Sequence, residues 1–178
     1  MARNRRETLK GAFALLGAAV GLGATGASAA DAAPGRAPQA KAGLPLVLYG
    51  VRWRIASQDV RRGEMPAAGV RMLARGEIVD KPARGRKLGD FFATYYCLNR
   101  PGKVPAHEPG SLELHTFLFP DGSIIGSGVA TASPKSEGQF AIIGGTGRYH
   151  GARGSYLARQ SHADFGGDGT ATFTLTLI

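Results

Sequence analysis

The sequence predicts an all-β fold, a closed antiparallel β-barrel of eight strands. After residue 44, no window keeps an apolar stripe at helical spacing for about three turns without an interrupting Gly or Pro. Short β-rich runs separated by turn residues recur instead, about eight of them in roughly 130 residues, as in sandwiches and barrels. Eight antiparallel strands can close on themselves, which removes exposed edges and leaves an interior for side chains or one small ligand.

The first run, residues 46–55, has the clearest alternation. Its apolar residues take every second position and are predicted to share one face of the strand: Val47, Tyr49, Val51, Trp53 and Ile55. Arg52 and Arg54 lie between them and are predicted to point the other way. This pattern is typical of a strand with one apolar and one polar face.

Seven further runs complete the predicted barrel. Residues 70–79 are a weaker run with Gly76 as a candidate bulge, and residues 90–98, DFFATYYCL, are strongly aromatic. Residues 112–119 and 124–131 flank the sequence PDGS, which predicts a β-hairpin with turn residues at its tip. The remaining runs are residues 139–143, 153–160 and 170–178.

The N-terminus has the pattern of an export signal. Residues 1–29 combine a basic start, an apolar run of about 13 residues that is too short to span a bilayer, and an A-x-A cleavage pattern. Arg5 and Arg6 begin a motif similar to the bacterial twin-arginine signal, which predicts a protein exported to the cell envelope or secreted, with only transient membrane contact. The alternative is an uncleaved N-terminal anchor. Residues 30–43 are predicted to be a flexible linker, and residues 44–178 the barrel domain.

Composition excludes several classes of protein. The chain is 43% hydrophobic, enough to bury a core, and a single Cys excludes an internal disulfide framework or a Cys-rich zinc module. Lys and Arg outnumber the acids 22 to 13, and removal of residues 1–29 leaves 18 basic and 12 acidic residues. Basic residues cluster at 81–87, but no aromatic residue there could stack on a base, which favours a solvated loop over a nucleic-acid surface.

The glycine-rich segment at 144–154, GGTGRYHGARG, does not predict a dinucleotide site. A phosphate-binding loop must open a helix, whereas the residues from Gly154 onward, GSYLARQ, have the pattern of a strand. Only 24 residues remain after Gly154, too few for a βαβ unit. We interpret the glycines as allowing a tight backbone path between two strands.

Two segments resemble the allene oxide cyclase and dirigent β-barrels. FAIIGGTGRYHGARGSYLARQ, with the later GTATFTLTLI, is similar to those families in its GGTG turn, following aromatic residue and A-R-G step. LHTFLFPDGSIIGSG resembles their hairpin. The resemblance implies an eight-stranded barrel with an apolar cavity, commonly assembled as a trimer, that steers the closure or coupling of reactive small molecules. Arg148 and His150 stand where some members carry acids, so a related barrel with a different substrate is inferred.

The fourth run carries the first candidate site residues. Glu113 and His115 alternate with apolar residues and are predicted to share one face with Phe117, a candidate ligand contact. A carboxylate beside an imidazole in an aromatic cavity is a candidate acid–base pair. The alternative is that this face points outward and that both polar side chains are solvated.

Two other runs add candidates. Tyr95 and Cys97 share a face of the third run, where Tyr95 could donate a hydrogen bond to a substrate oxygen and Cys97 could line the cavity; core packing is the alternative. Arg153, the Arg of the A-R-G step, is a candidate catalytic fork for a carboxylate or enolate, and Ser155 on the same face is a candidate ligand contact. The alternative for Arg153 is a structural ion pair at the barrel rim.

These observations support three functional hypotheses. The first is a cofactor-independent isomerase or cyclase that holds a hydrophobic small molecule and uses Glu113, His115 and Arg153 to stabilise charge or move a proton. The second is a dirigent-like or lipocalin-like binding module without bond-making chemistry, and the third is a structural surface protein. No metal site is predicted, because the four histidines lack the spacing of zinc enzymes. The resemblance adds a homo-oligomer, a trimer, as the expected assembly.

Overall fold

A computed structural model of the chain describes residues 45–55, 66–98, 108–133, 135–161 and 169–178. Each strand pairs antiparallel with the next along the chain, and the last strand returns to pair with the first. The predicted closed eight-stranded antiparallel barrel is therefore confirmed. The strands are β1 (Leu46–Ile55), β2 (Arg71–Val79), β3 (Lys87–Cys97), β4 (Pro109–Phe119), β5 (Gly122–Thr131), β6 (Lys135–Gly147), β7 (Gly154–Ser161) and β8 (Gly169–Leu177).

The predicted export signal and linker, residues 1–43, lie outside the described residues. The described part of the chain contains no helix long and apolar enough to cross a bilayer.

The barrel has two distinct ends. We call the end where β1, β3, β5 and β7 finish the upper end, and the opposite one the lower end. The lower end carries the connections at 80–86, 120–121 and 148–153. There the rings of Phe119 and Tyr149 pack against each other, with centroids 5.4 Å apart.

Strand β1 corrects the predicted alternation. Its register shifts by one residue between Val51 and Arg54 against β2, and between Gly50 and Trp53 against β8. Arg52, which lies within both intervals, has φ = 52°. A bulge of this kind inserts one extra residue and reverses the inward and outward faces beyond it. Consequently Leu48 and Trp53 are both buried, whereas Val47, predicted to share a face with Trp53, is exposed.

The GGTG segment is also placed differently from the prediction. It forms the last residues of β6, paired with β5, and the turn follows it at 148–153. A Cβ at Gly145 would lie 2.6 Å from the Ser123 carbonyl oxygen, closer than real Cβ atoms approach, and Gly147 has φ = 57°. Glycine is therefore required for close strand approach at one position and for a left-handed conformation at the other.

Aromatic rings fill the middle of the barrel. Ring centroids of Phe91, Phe117 and Phe173 lie 4.9–5.4 Å apart, and all three side chains are fully buried. The centre is thus a packed core rather than an empty hollow. Buried alanines replace large side chains at inward positions nearer the upper end: Ala74, Ala93, Ala130, Ala158 and Ala171.

Candidate functional site

A buried carboxylate lies at the centre of a polar cluster in the upper half of the barrel. Glu113 on β4 is only 2% exposed. Ser111 Oγ donates to its Oε1 at 2.6 Å, and Gln160 Nε2 donates to its Oε2 at 2.7 Å. His115 Nε2 lies 2.8 Å from the same Oε2. Three partners therefore stabilise a negative charge in a place from which water is largely excluded.

His115 links this carboxylate to a buried phenol. Tyr156 Oη lies 3.0 Å from His115 Nδ1, and both side chains are almost completely buried. Because Glu113 as a carboxylate can only accept, we assign the proton of a neutral imidazole to Nε2, which leaves Nδ1 to accept from the Tyr156 hydroxyl. The result is a directed chain in which Tyr156 donates to His115 and His115 donates to Glu113.

The strand pattern explains why these groups meet. Ser111, Glu113 and His115 occupy alternate positions of β4, so their side chains share the inward face. On the neighbouring strand β5, the residues opposite Glu113 and His115 are Gly128 and Gly126. A Cβ at Gly126 would overlap the Tyr156 ring, so the missing side chain leaves the space through which Tyr156 reaches His115.

A second tyrosine completes the cluster on its upper side. Tyr95 on β3 is paired directly with Glu113, and its Oη lies 3.4 Å from Gln160 Oε1. Burial, with Glu113 and Tyr156 adding to it, raises the pKa of Tyr95 well above its ordinary value. Burial and Glu113 likewise raise the pKa of Tyr156. Both phenols therefore stay protonated at neutral pH and act as hydrogen-bond donors.

Aromatic rings surround the polar cluster. The Phe140 ring stacks on His115 with centroids 4.6 Å apart, and Phe91 meets His115 edge-on at 5.1 Å. Trp53 stacks on Tyr95 at 6.0 Å. This apolar shell lowers the local dielectric constant, which strengthens every charge interaction within it.

The structure brings five of the seven sequence-predicted residues into the interior. Glu113, His115 and Tyr95 belong to the hydrogen-bonded cluster. Phe117 packs below it, 5.4 Å from the Tyr156 ring. Cys97 is buried at the upper end opposite Ser111, and burial together with Glu113 raises the pKa of its thiol.

Arg153 and Ser155 are not part of this cluster. Arg153 is exposed and donates from Nη1 to the carbonyl oxygens of Ala152 and Ile143. Ser155 shares the outward side of β7, because the inward side of that strand carries Tyr156 and Gln160. The prediction that Arg153 and Ser155 face the interior was therefore wrong, because Tyr156 and Gln160 occupy the inward face.

Three cluster residues were missed by the sequence analysis: Ser111, Tyr156 and Gln160. Tyr156 and Gln160 could have been found from the sequence, because they alternate with Ala158 at every second position of one run and therefore share a face. Ser111 is placed by the strand alternation that also places Glu113. In the described part of the chain, no three His, Cys, Asp or Glu side chains converge as metal ligands would.

Solved structures share this fold. A pyocyanin demethylase aligns with a TM-score of 0.55 at 18% identity, over 76% of this chain and 100% of its own. Two pterocarpan synthase dirigent proteins, PsPTS1 and GePTS1, align with TM-scores of 0.59 and 0.55 at 16% and 19% identity. Each covers 79% of this chain, and 97% and 87% of the dirigent chains are covered. No protein-family model and no curated protein matches the sequence. The fold is that of the dirigent-like barrels.

Proposed function

We propose that this chain binds a hydrophobic small molecule at the upper end of the barrel and steers its cofactor-independent cyclisation or isomerisation. The observation that carries the proposal is the continuous buried chain of hydrogen bonds from Tyr156 through His115 to Glu113. Structural cores seldom retain a carboxylate, an imidazole and two phenols in one cluster, because each polar group must be desolvated.

The proposed chemistry needs only proton transfers. Glu113 takes a proton from an acidic C–H or O–H bond of the ligand, and the electron pair left behind shifts to form the new bond. Tyr95, which faces Glu113 from β3, turns its hydroxyl proton from Gln160 Oε1 to the ligand oxygen on which negative charge develops. The carboxyl group then returns its proton to another ligand atom, so no oxidant or reductant is consumed. His115 and Tyr156 act as positioning residues that hold and stabilise the Glu113 carboxylate.

The structural neighbours support a small-molecule ligand. Their names describe a demethylase of pyocyanin and two synthases of pterocarpan, so the same barrel fold is used on small molecules in each case. Ligand access in this chain is proposed through the upper end. The Tyr95–Gln160 contact lies on that side and is the longest hydrogen bond of the cluster.

A binding module without chemistry of its own is the second candidate. The near-complete burial of Glu113, His115 and Tyr156 favours it, because a closed cluster of this kind could serve only to specify the barrel interior. The two candidates differ in one measurable respect, since only the first alters the ligand.

Ring closure of 2′-hydroxychalcones tests the proposal. In this isomerisation the phenol oxygen adds to the conjugated double bond and the adjacent carbon takes up a proton, and the uncatalysed reaction gives equal amounts of the two flavanone enantiomers. An excess of one enantiomer in the presence of the protein, lost in Glu113→Gln and kept in the exposed control Glu137→Gln, supports the enzyme. Binding of the chalcone with a racemic product supports the binding module. The absence of both chalcone binding and enantiomeric excess contradicts the proposal.

We also propose that copies of the chain associate through the outer apolar face of β3, β4 and β5. Tyr96, Leu112 and Val129 are cross-strand neighbours in one row of this face, and each is more than 40% exposed. Exposed apolar side chains in contiguous rows commonly mark protein interfaces.

Export of the folded chain by a twin-arginine signal, to the cell envelope or beyond, remains our proposal for its location.

A further inference from the structure

One buried hydroxyl at the upper end has no hydrogen-bond partner in the described structure. Ser136 on β6 is 5% exposed, and its Oγ is inaccessible to solvent. By contrast, the buried Ser123 shares a hydrogen bond of 2.7 Å with Thr146. Buried hydroxyls in native proteins are nearly always paired, so an unpaired one points to a group that occupies its site in another state.

The strand register fixes the direction of this hydroxyl. Lys135 and Glu137 on either side of Ser136 are exposed, so Ser136 faces inward. It is paired directly with Gln160, whose side chain also faces inward and donates to Glu113. Directly paired residues project to the same side of a sheet with neighbouring Cβ atoms. Ser136 therefore lies beside the polar cluster, one residue from the upper end of β6.

We infer that Ser136 binds an oxygen atom of the ligand. This inference rests on the proposed function, because it assigns the polar contact of the same interior ligand. A serine hydroxyl can donate to a carbonyl and can accept from a phenol or alcohol.

The charges nearby define the ligand class further. Among the described residues of the types Asp, Glu, His, Lys and Arg, only Glu113 and His115 are buried, and His115 is already engaged by Glu113 and Tyr156. A carboxylate or phosphate on the ligand would meet the negative charge of Glu113 without a free cation to balance it. The ligand is therefore a neutral aromatic phenol, alcohol or ketone rather than an anion.

Three stilbenes that differ in one substituent test this assignment: trans-stilbene, 4-hydroxystilbene and stilbene-4-carboxylate. Trp53, the single tryptophan of the chain, stacks on Tyr95 at the upper end, so quenching of its fluorescence reports binding there. We expect the wild type to bind 4-hydroxystilbene about tenfold more tightly than stilbene, as one net hydrogen bond provides. The carboxylate should bind most weakly.

Substitution at Ser136 should remove only the hydroxyl preference. Ser136→Ala is expected to bind 4-hydroxystilbene as weakly as stilbene, with stilbene binding unchanged. The matched control is Ser161→Ala, one residue beyond Gln160 on the outward side of β7, which should keep the wild-type preference. The ligand-free Ser136→Ala protein should have an unchanged or higher Tm, because an unpaired buried hydroxyl is removed.

Three results would overturn the inference. The first is an undiminished hydroxyl preference in Ser136→Ala, and the second is the absence of quenching by all three probes. The third is a Tm of the ligand-free variant several degrees lower, which would make the hydroxyl a structural group bonded to a permanent water. None of these measurements uses the flavanone assay. If this inference fails but the enantiomeric excess still depends on Glu113, the proposed function remains supported.

Discussion

Tyr156 Oη and His115 Nδ1 lie 3.0 Å apart, although the two residues are on strands β7 and β4 with two other strands between them. The phenol crosses this distance over Gly126, where a side chain would occupy the space of its ring. This one hydrogen bond therefore depends on three residues: the tyrosine and the histidine that form it, and the glycine that leaves room for the tyrosine ring.

Removal of the Tyr156 hydroxyl should weaken the barrel. Tyr156→Phe leaves His115 Nδ1 buried without its donor, which should lower the free energy of unfolding by about 1–3 kcal/mol. Urea unfolding followed by Trp53 fluorescence measures the change. Tyr96→Phe, on the exposed outer face, is the matched control and should change stability little. Equal stability of Tyr156→Phe and wild type would show that the hydroxyl does not stabilise the fold.

Glu113→Gln should abolish acid–base chemistry while preserving side-chain volume. Loss of a positioned general base typically costs about 10²–10⁴-fold in rate, and we expect kcat for flavanone formation to fall by this range. Probe affinity should change far less than kcat, since the amide still fills the same space. A parallel loss of binding and kcat would instead indicate a collapsed site. The exposed Glu137→Gln variant controls for the substitution itself.

Gly126→Ala should separate Tyr156 from His115. The added methyl group overlaps the tyrosine ring, and overpacking of a barrel interior costs about 1–3 kcal/mol. At the control position Gly144, the nearest atom to a new Cβ is Arg153 Nη1 at 3.9 Å, so Gly144→Ala should be well tolerated. Both substitutions remove the Tyr156–His115 hydrogen bond, whereas the overlap with the ring persists in Tyr156→Phe, so the loss of unfolding free energy in the double variant should be smaller than the sum of the two single losses. Additive losses would contradict the proposed coupling.

Stability should decrease in alkali because the buried tyrosines resist ionisation. The pKa values of Tyr95 and Tyr156 are raised in the folded protein, so above about pH 10 the unfolded chain releases protons that the folded chain retains. Each such tyrosine lowers the unfolding free energy by about 1.4 kcal/mol per pH unit, whereas below pH 10 both states are protonated and no effect is expected. Tyr156→Phe should therefore reduce the alkaline slope by about this amount in urea titrations. An unchanged slope would show that Tyr156 ionises without unfolding.

A charge on the outer face of β4 should prevent self-association. Leu112 lies between Tyr96 and Val129 on the outer surface, and Leu112→Glu places a carboxylate in the middle of that row. We expect light scattering after size exclusion to give the monomer mass for this variant and a multiple of it for the wild type. Val47→Glu, on the exposed side of β1, should keep the wild-type mass. A monomeric wild type would contradict the proposed interface.

The barrel was predictable because its strands alternate and its turns contain turn-forming residues. Glu113 and His115 could be assigned as a pair for the same reason, since residues two apart on a strand must share a face. Which face points inward is decided by the whole ring of strands. On β7 both alternating sets contain a polar residue and an apolar one, so the run alone could not choose between Arg153 with Ser155 and Tyr156 with Gln160.

Other features depend on contacts between distant strands. The bulge in β1 reverses the faces of the strand, although the residue with the positive φ is an arginine, Arg52, and not a glycine. The Tyr156–His115 contact joins residues 41 positions apart in sequence and depends on a glycine in a third strand. Periodicity within one strand carries no information about such contacts.

Closure of the ring also constrains when the protein can form. Leu46 near the start of β1 pairs with Leu175 in β8, so the last seam joins the two extremes of the domain. Contacts of such long sequence separation are slow to form, because a large loop must close before any pairing energy is gained. A growing chain that still lacks residues 169–178 can pair β1 with β2 only, so the other edge of β1 has no partner strand. The ring can therefore close only after β8 has been made, and any factor that protects the open edge of β1 would have to act before that moment.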